Sequence, residues 1–191
     1  MASARNRRRG GQAVKVVVTG PFSAGKTTLI RTISEITVLS TERGITDSTR
    51  KRKAETTVAM DFGRITIDRD LVLYLFGTPG QERFDFMWEI LGEGMIGYLL
   101  LVDAEREDSI AEASGILEAF RRMARVPYVV ALNRAAPDDH ALTERVRDTL
   151  KIPADVAIMS VDATDKESVK NVLLALLYAV LDEVETEAVR A

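Results

Sequence analysis

The 191 residues predict an α/β protein. The expected core is a mostly parallel six-stranded sheet with one antiparallel hairpin edge strand and helices on both faces. Two observations carry this. Short apolar runs alternate regularly with longer segments of helical period through the second half of the chain. A glycine-rich stretch, Gly20 to Thr27, sits between the first apolar run and the first helix. At roughly 150 residues per domain, the length suits one domain with ragged ends. The expected organisation is a basic, disordered tail over 1–12, one folded domain over 13–186 and a short C-terminal tail over 187–191.

Ala13 to Thr19 is almost continuously apolar, with Val14, Val16, Val17 and Val18, as suits a strand buried on both faces. A helix follows from about Gly25 to Ser34. Residues 35–56 show no period and carry the basic run Arg50, Lys51, Arg52 and Lys53, which reads as a long loop. Residues 57–67 and 71–76 form two strands joined at Asp68-Arg69-Asp70, a hairpin. A helix is expected near 82–91. Strands are then expected at Ile96 to Val102, Pro127 to Leu132 and Val156 to Met159. Helices are expected over 107–123, 138–150 and about 166–186. In the last of these, Val169, Val172, Leu173, Leu176, Leu177 and Val180 follow i, i+3, i+4 spacing, so one face packs on a sheet.

Composition removes several function classes. The chain has no cysteine, which excludes disulfides, thiolate metal sites, cysteine nucleophiles and palmitoylation. One histidine, His140, excludes a histidine metal cluster. A net charge of −3 argues against nucleic acid as the partner of the whole molecule. The apolar run Val172 to Leu181 is too short to cross a bilayer. The expected compartment is the cytoplasm. Arg5, Arg7, Arg8 and Arg9 in the tail read either as a solvated end or as an arm making weak peripheral contact with the inner face of the membrane.

Gly20-Pro21-Phe22-Ser23-Ala24-Gly25-Lys26-Thr27 fits G-x-x-x-x-G-K-[ST], a phosphate loop, and follows a buried strand and opens a helix as that loop must. Its glycines let the backbone curl so that N–H groups point at phosphate oxygens, and the helix N-terminus adds positive potential. Lys26 supplies a point charge to the β- and γ-phosphates, and the Thr27 hydroxyl can ligate Mg²⁺. The candidate nucleotide contacts from this motif are Gly20, Ser23, Ala24, Gly25, Lys26, Thr27 and Thr28. The motif names a nucleotide phosphate and no base.

With further segments in the same order, residues 13–186 resemble the Ras-like small GTPases and their small G-domain. Those segments are Thr56-Thr57-Val58-Ala59-Met60-Asp61-Phe62, Gly77-Thr78-Pro79-Gly80-Gln81-Glu82-Arg83-Phe84, Asn133 at the end of an apolar strand, and Asp162-Ala163-Thr164. The basic tail and Phe76-Gly77-Thr78-Pro79-Gly80 are similar to the prokaryotic branch, the MglA-like and actinobacterial conservon groups. The resemblance implies a switch that binds GDP or GTP with Mg²⁺, hydrolyses GTP slowly and signals by rearranging two loops. It implies that Thr27 and Thr57 hold Mg²⁺, that Gly80 N–H bonds the γ-phosphate and that Gln81 orients the attacking water. It implies that Asn133, Arg134, Asp162, Ala163 and Thr164 meet the base, the Ala163 N–H bonding guanine O6. A monomer working with a small roadblock-type regulator, and with GAP-like or exchange factors, is implied as well.

The pattern breaks in three places. Gly77 stands where the family has a carboxylate near Mg²⁺, and neither neighbour, Phe76 or Thr78, replaces it. The base motif reads Asn133-Arg134-Ala135-Ala136, and Ala136 cannot accept the guanine N1–H and N2–H₂ bonds. Asp138 or Asp139 either substitutes for that acceptor or caps the next helix. Phe22 places a ring where the catalytic glutamine or an arginine finger would work. A scaffold with weak or no nucleotide binding, and a P-loop ATPase or nucleoside-phosphate kinase, are the alternative readings.

Overall fold

The computed structural model describes residues 12–45, 56–80 and 85–190. In chain order the elements are β1 (Gln12–Thr19), α1 (Lys26–Ile33), β2 (Leu39–Ile45), β3 (Thr56–Asp68), β4 (Leu71–Gly77), α2 (Asp85–Gly92), β5 (Gly97–Asp103), α3 (Ser109–Met123), β6 (Tyr128–Asn133), α4 (His140–Leu150), β7 (Ile158–Val161) and α5 (Lys166–Arg190). One seven-stranded sheet runs in the order β2-β3-β4-β1-β5-β6-β7. From β4 to β7 every pairing is parallel, and β2-β3 and β3-β4 are antiparallel.

The expected sheet is one strand short of the observed one. Residues 39–45 form β2, paired from Leu39↔Phe62 to Ile45↔Thr56, inside the stretch expected as a loop. The sequence Leu-Ser-Thr-Glu-Arg-Gly-Ile has no apolar alternation to announce a strand. It is an edge strand, paired only with β3. The basic run Arg50 to Lys53, the N-terminal arginines Arg5 to Arg9, Gln81 and Phe84 lie outside the described residues. Strand β7 starts at Ile158 rather than Val156, and α5 continues through Arg190 rather than ending at 186.

The core divides by the two-residue period of the strands. Val16 and Val18 of β1 with Leu99 and Leu101 of β5 face Leu29, Ile30, Val169, Val172, Leu173 and Leu176 of α1 and α5. Val17, Tyr98, Leu100 and Val102 face Trp88, Ile110, Leu117, Phe120 and Val146 of α2, α3 and α4. Every residue of β5 is buried, as a central parallel strand covered on both faces requires. The expected i, i+3, i+4 face of α5 is the one that packs. Among the described residues no helix is long and apolar enough to cross a membrane.

This topology positions the site. Strand β1 lies beside β5, and the connection leaving β1 runs toward β2, β3 and β4 while the one leaving β5 runs the other way, toward β6. In open α/β sheets that crevice, beyond the carboxyl ends of the strands, is where ligands bind.

Candidate functional site

The loop from Gly20 to Gly25 turns out of β1 under steric constraint. Gly20 has φ +140°, and a Cβ there would sit 2.1 Å from the Leu101 carbonyl oxygen. Gly25 has φ +103°, and a Cβ there would sit 2.5 Å from Asn133 Nδ2. Both positions are therefore closed to side chains. Ser23 takes φ 63° without being glycine, a conformation held only by its surroundings.

Lys26 opens α1 and is buried, 8% exposed. Its ammonium donates to the Gly20 carbonyl at 2.7 Å and the Pro21 carbonyl at 2.6 Å. Burial lowers its pKa to about 8, partly offset by the Asp61 and Glu112 carboxylates. The cation stands behind a cleft of about 290 Å³ lined by Phe22, Ser23, Gly25, Lys26, Thr27, Asp61, Thr78, Pro79 and Gly80. A buried ammonium, a helix N-terminus and curled amides make a donor set for phosphate oxygens. Ala24 is fully buried, whereas Ser23 and Thr28 are exposed.

Asp61 corrects the expectation that no carboxylate replaces the one missing at Gly77. Asp61 of β3 pairs in register with Gly77 of β4. Its carboxylate lies 3.3 Å from where a Gly77 Cβ would point. The Thr27 hydroxyl donates to Asp61 Oδ2, and Asp61 is 8% exposed. A hydroxyl and a buried carboxylate beside a phosphate cradle fit a hard divalent cation. Thr57 lies in β3 opposite Gly44, and its side chain is outside the described residues.

Two loops close on the phosphate side. Thr78 is held to β1 by its N–H on the Val18 carbonyl and its hydroxyl 2.9 Å from that of Thr19. Trp88 Nε1 donates to the Pro79 carbonyl at 3.0 Å. Gly80 comes so close that a Cβ there would be 2.4 Å from the Phe22 amide nitrogen. The Phe22 ring itself is 59% exposed. Arg106 reaches from the β5–α3 loop, donating to the Phe22 carbonyl at 2.6 Å.

At the expected base end the polar groups are spent on one another. Asn133 Nδ2 donates to the Ala24 carbonyl at 3.0 Å, and Asn133 Oδ1 accepts from the Ala163 N–H at 3.1 Å. The N–H expected to read guanine O6 is thus engaged, on a residue 2% exposed. Arg134, at φ 63°, pairs with the buried Asp103 carboxylate. Asp162 Oδ1 accepts from both the N–H and hydroxyl of Thr164, which lowers the Asp162 pKa. Asp139 caps α4, its Oδ1 accepting from Leu142 N–H at 2.9 Å, so it is not a substitute for the missing acceptor. A cleft of about 530 Å³ beside these groups is lined by Asn133, Arg134, Ala135, Pro137, Ser160, Val161, Asp162 and Ser168.

Sequence reasoning missed Asp61, Asp103 and Arg106. Asp103 had a signal, since it ends an otherwise apolar strand at the site's edge. Asp61 and Arg106 had none along the chain, because register and loop packing bring them in.

Known proteins agree with a nucleotide site and change its nucleotide. A family described as "conserved hypothetical ATP binding protein" matches residues 18–183. An uncharacterized protein of Methanocaldococcus jannaschii is 32% identical over 126 residues, covering 66% of this chain and 73% of that protein. These matches overturn the Ras-like resemblance and the guanine-nucleotide switch read from it. The physical reason is local. Ala136 offers no acceptor to guanine, and the Ala163 N–H is bonded to Asn133.

Proposed function

The chain belongs to the family of conserved hypothetical ATP binding proteins, and from that premise we propose that it is a P-loop ATPase holding Mg-ATP in the cleft above β1. One observation carries the phosphate half of the reading: buried Lys26, Thr27 and Asp61 meet in a single cleft at a helix N-terminus. The base half rests on what Ala136 lacks. Guanine recognition draws on a paired acceptor that adenine does not need, so its loss costs ATP little.

In this reading the N–H groups of residues 23–27 and the Lys26 ammonium bind the β- and γ-phosphate oxygens. The Thr27 hydroxyl and Asp61, with Thr57, would hold Mg²⁺, which would neutralise charge on those oxygens. The Gly80 N–H faces the γ-phosphate. Gln81 orients a water that attacks the γ-phosphorus. The bond to the β,γ-bridging oxygen breaks, and ADP and inorganic phosphate leave with the proton of that water.

Calorimetric titration of nucleotide-stripped protein with ADP and GDP in parallel, Mg²⁺ present, tests the reading. ADP binding with GDP weaker is expected. Tight GDP binding with ADP rejected would overturn it, as would no binding of either.

A further inference from the structure

Four carbonyls of the phosphate loop accept hydrogen bonds from side chains. Lys26 holds those of Gly20 and Pro21. Asn133 holds that of Ala24. Arg106 holds that of Phe22 from a loop 84 residues away in sequence. Fixing these carbonyls fixes the peptide planes between them and so the directions of the loop's N–H groups, of which Ala24 N–H donates to the Pro21 carbonyl at 3.3 Å.

These tethers are not equivalent. The Lys26 ammonium is the group that phosphate oxygens draw on, so a bound phosphate competes with the carbonyls for it. Arg106 and Asn133 have no such competitor. Arg106 also acts at the apex, next to Ser23 at φ 63°, where the backbone most needs a restraint. Its guanidinium is itself oriented: NH2 lies 3.0 Å from Asp108 and 3.0 Å from Glu112. Such half-exposed ion pairs stabilise little, but they aim a planar fork at one carbonyl.

We propose that Arg106 is a positioning residue of the phosphate loop, holding the Phe22 carbonyl so that the loop's amides stay presented to phosphate. The proposal deepens the ATP reading above and rests on it for the ligand. Arg106 acts on the loop, not on the γ-phosphate, so its effect is the same for every ligand carrying a diphosphate.

The test compares wild type with Arg106→Ala and Arg106→Lys by calorimetry, using Mg-ATP, Mg-ADP and Mg-pyrophosphate. Arg106→Ala weakens all three by about tenfold, the scale of one hydrogen bond to a charged group. Arg106→Lys recovers part of the loss, since lysine supplies a donor without the fork. Unchanged affinity for all three overturns the proposal. So does a loss confined to Mg-ATP, which would mean direct contact with the γ-phosphate. Amide hydrogen exchange of Ser23, Ala24 and Gly25 in the nucleotide-free protein supplies a readout independent of ligand. Faster exchange in Arg106→Ala, with the melting temperature kept, supports the proposal, and unchanged exchange overturns it. If wild type binds neither ADP nor GDP, the ATP reading falls while the exchange measurement still decides the role of Arg106.

Discussion

The phosphate end and the base end of the site are built on opposite plans. At the proposed phosphate end the loop amides and the Lys26 ammonium would meet the ligand, while Lys26 and Arg106 hold the loop's carbonyls. At the proposed base end the polar side chains are bonded within the protein: Asn133 to the Ala24 carbonyl and the Ala163 N–H, Arg134 to Asp103, Asp162 to Thr164. Backbone recognition is specified by glycine positions and one lysine, and it survives as a motif. Base recognition depends on single acceptors, and one substitution such as alanine at 136 removes it. A chain can therefore keep its grip on phosphate while changing its base.

The largest effect that would break this contrast is at Lys26. Lys26→Ala should weaken Mg-ADP on the order of 100-fold, because phosphate charge then lacks its cationic partner; calorimetry reads it. The same lysine gives a pH signature. With its folded pKa near 8, affinity should fall as pH rises through that value and the ammonium is lost. Unliganded stability should run the other way, rising between pH 8 and 10.5, because there the unfolded chain binds more protons. Thermal melts across that window, in wild type and Lys26→Ala, check the sign.

Asp61→Asn should remove about tenfold of the gain in ADP affinity that Mg²⁺ confers and leave metal-free affinity nearly unchanged. Titrations with and without chelator decide it, and equal losses in both would place Asp61 outside metal binding.

Ala136→Asp sharpens the comparison at the other end. It should shift the GDP-to-ADP affinity ratio toward GDP by about tenfold, with the phosphate end untouched. Competition between the two diphosphates measures this ratio directly.

The smallest effect is at Asp139. Removing the α4 cap by Asp139→Ala should cost about 1 kcal/mol of stability and leave nucleotide affinity unchanged. Denaturant melts and one ADP titration together check both halves.

What was legible in the sequence follows the same division. Strands β1, β5 and β6 announced themselves because burial on both faces writes a continuous apolar run. The phosphate loop was legible because its steric needs fall on adjacent residues. Strand β2 was not, since an edge strand borrows its order from its neighbour. Asp61 was sought beside Gly77 along the chain, whereas the antiparallel register delivers it from across the sheet. The Ala163 N–H was expected to face a base, and the Asn133 side chain that occupies it lies 30 residues away. Contacts made through register and between loops leave no local pattern to read.

The contact between Gly25 and Asn133 has a consequence for how this chain can change. A methyl group at 25 would collide with the Asn133 amide at 2.5 Å, and that amide also anchors Ala24. Any replacement of Gly25 therefore needs Asn133 to yield first, and an Asn133 that yields releases two loops at once. Even with Asn133 moved aside, φ +103° strains any other residue at 25. Neither position has a tolerated single-step path away from its present residue, so mutational scanning should find both among the most intolerant positions of the chain.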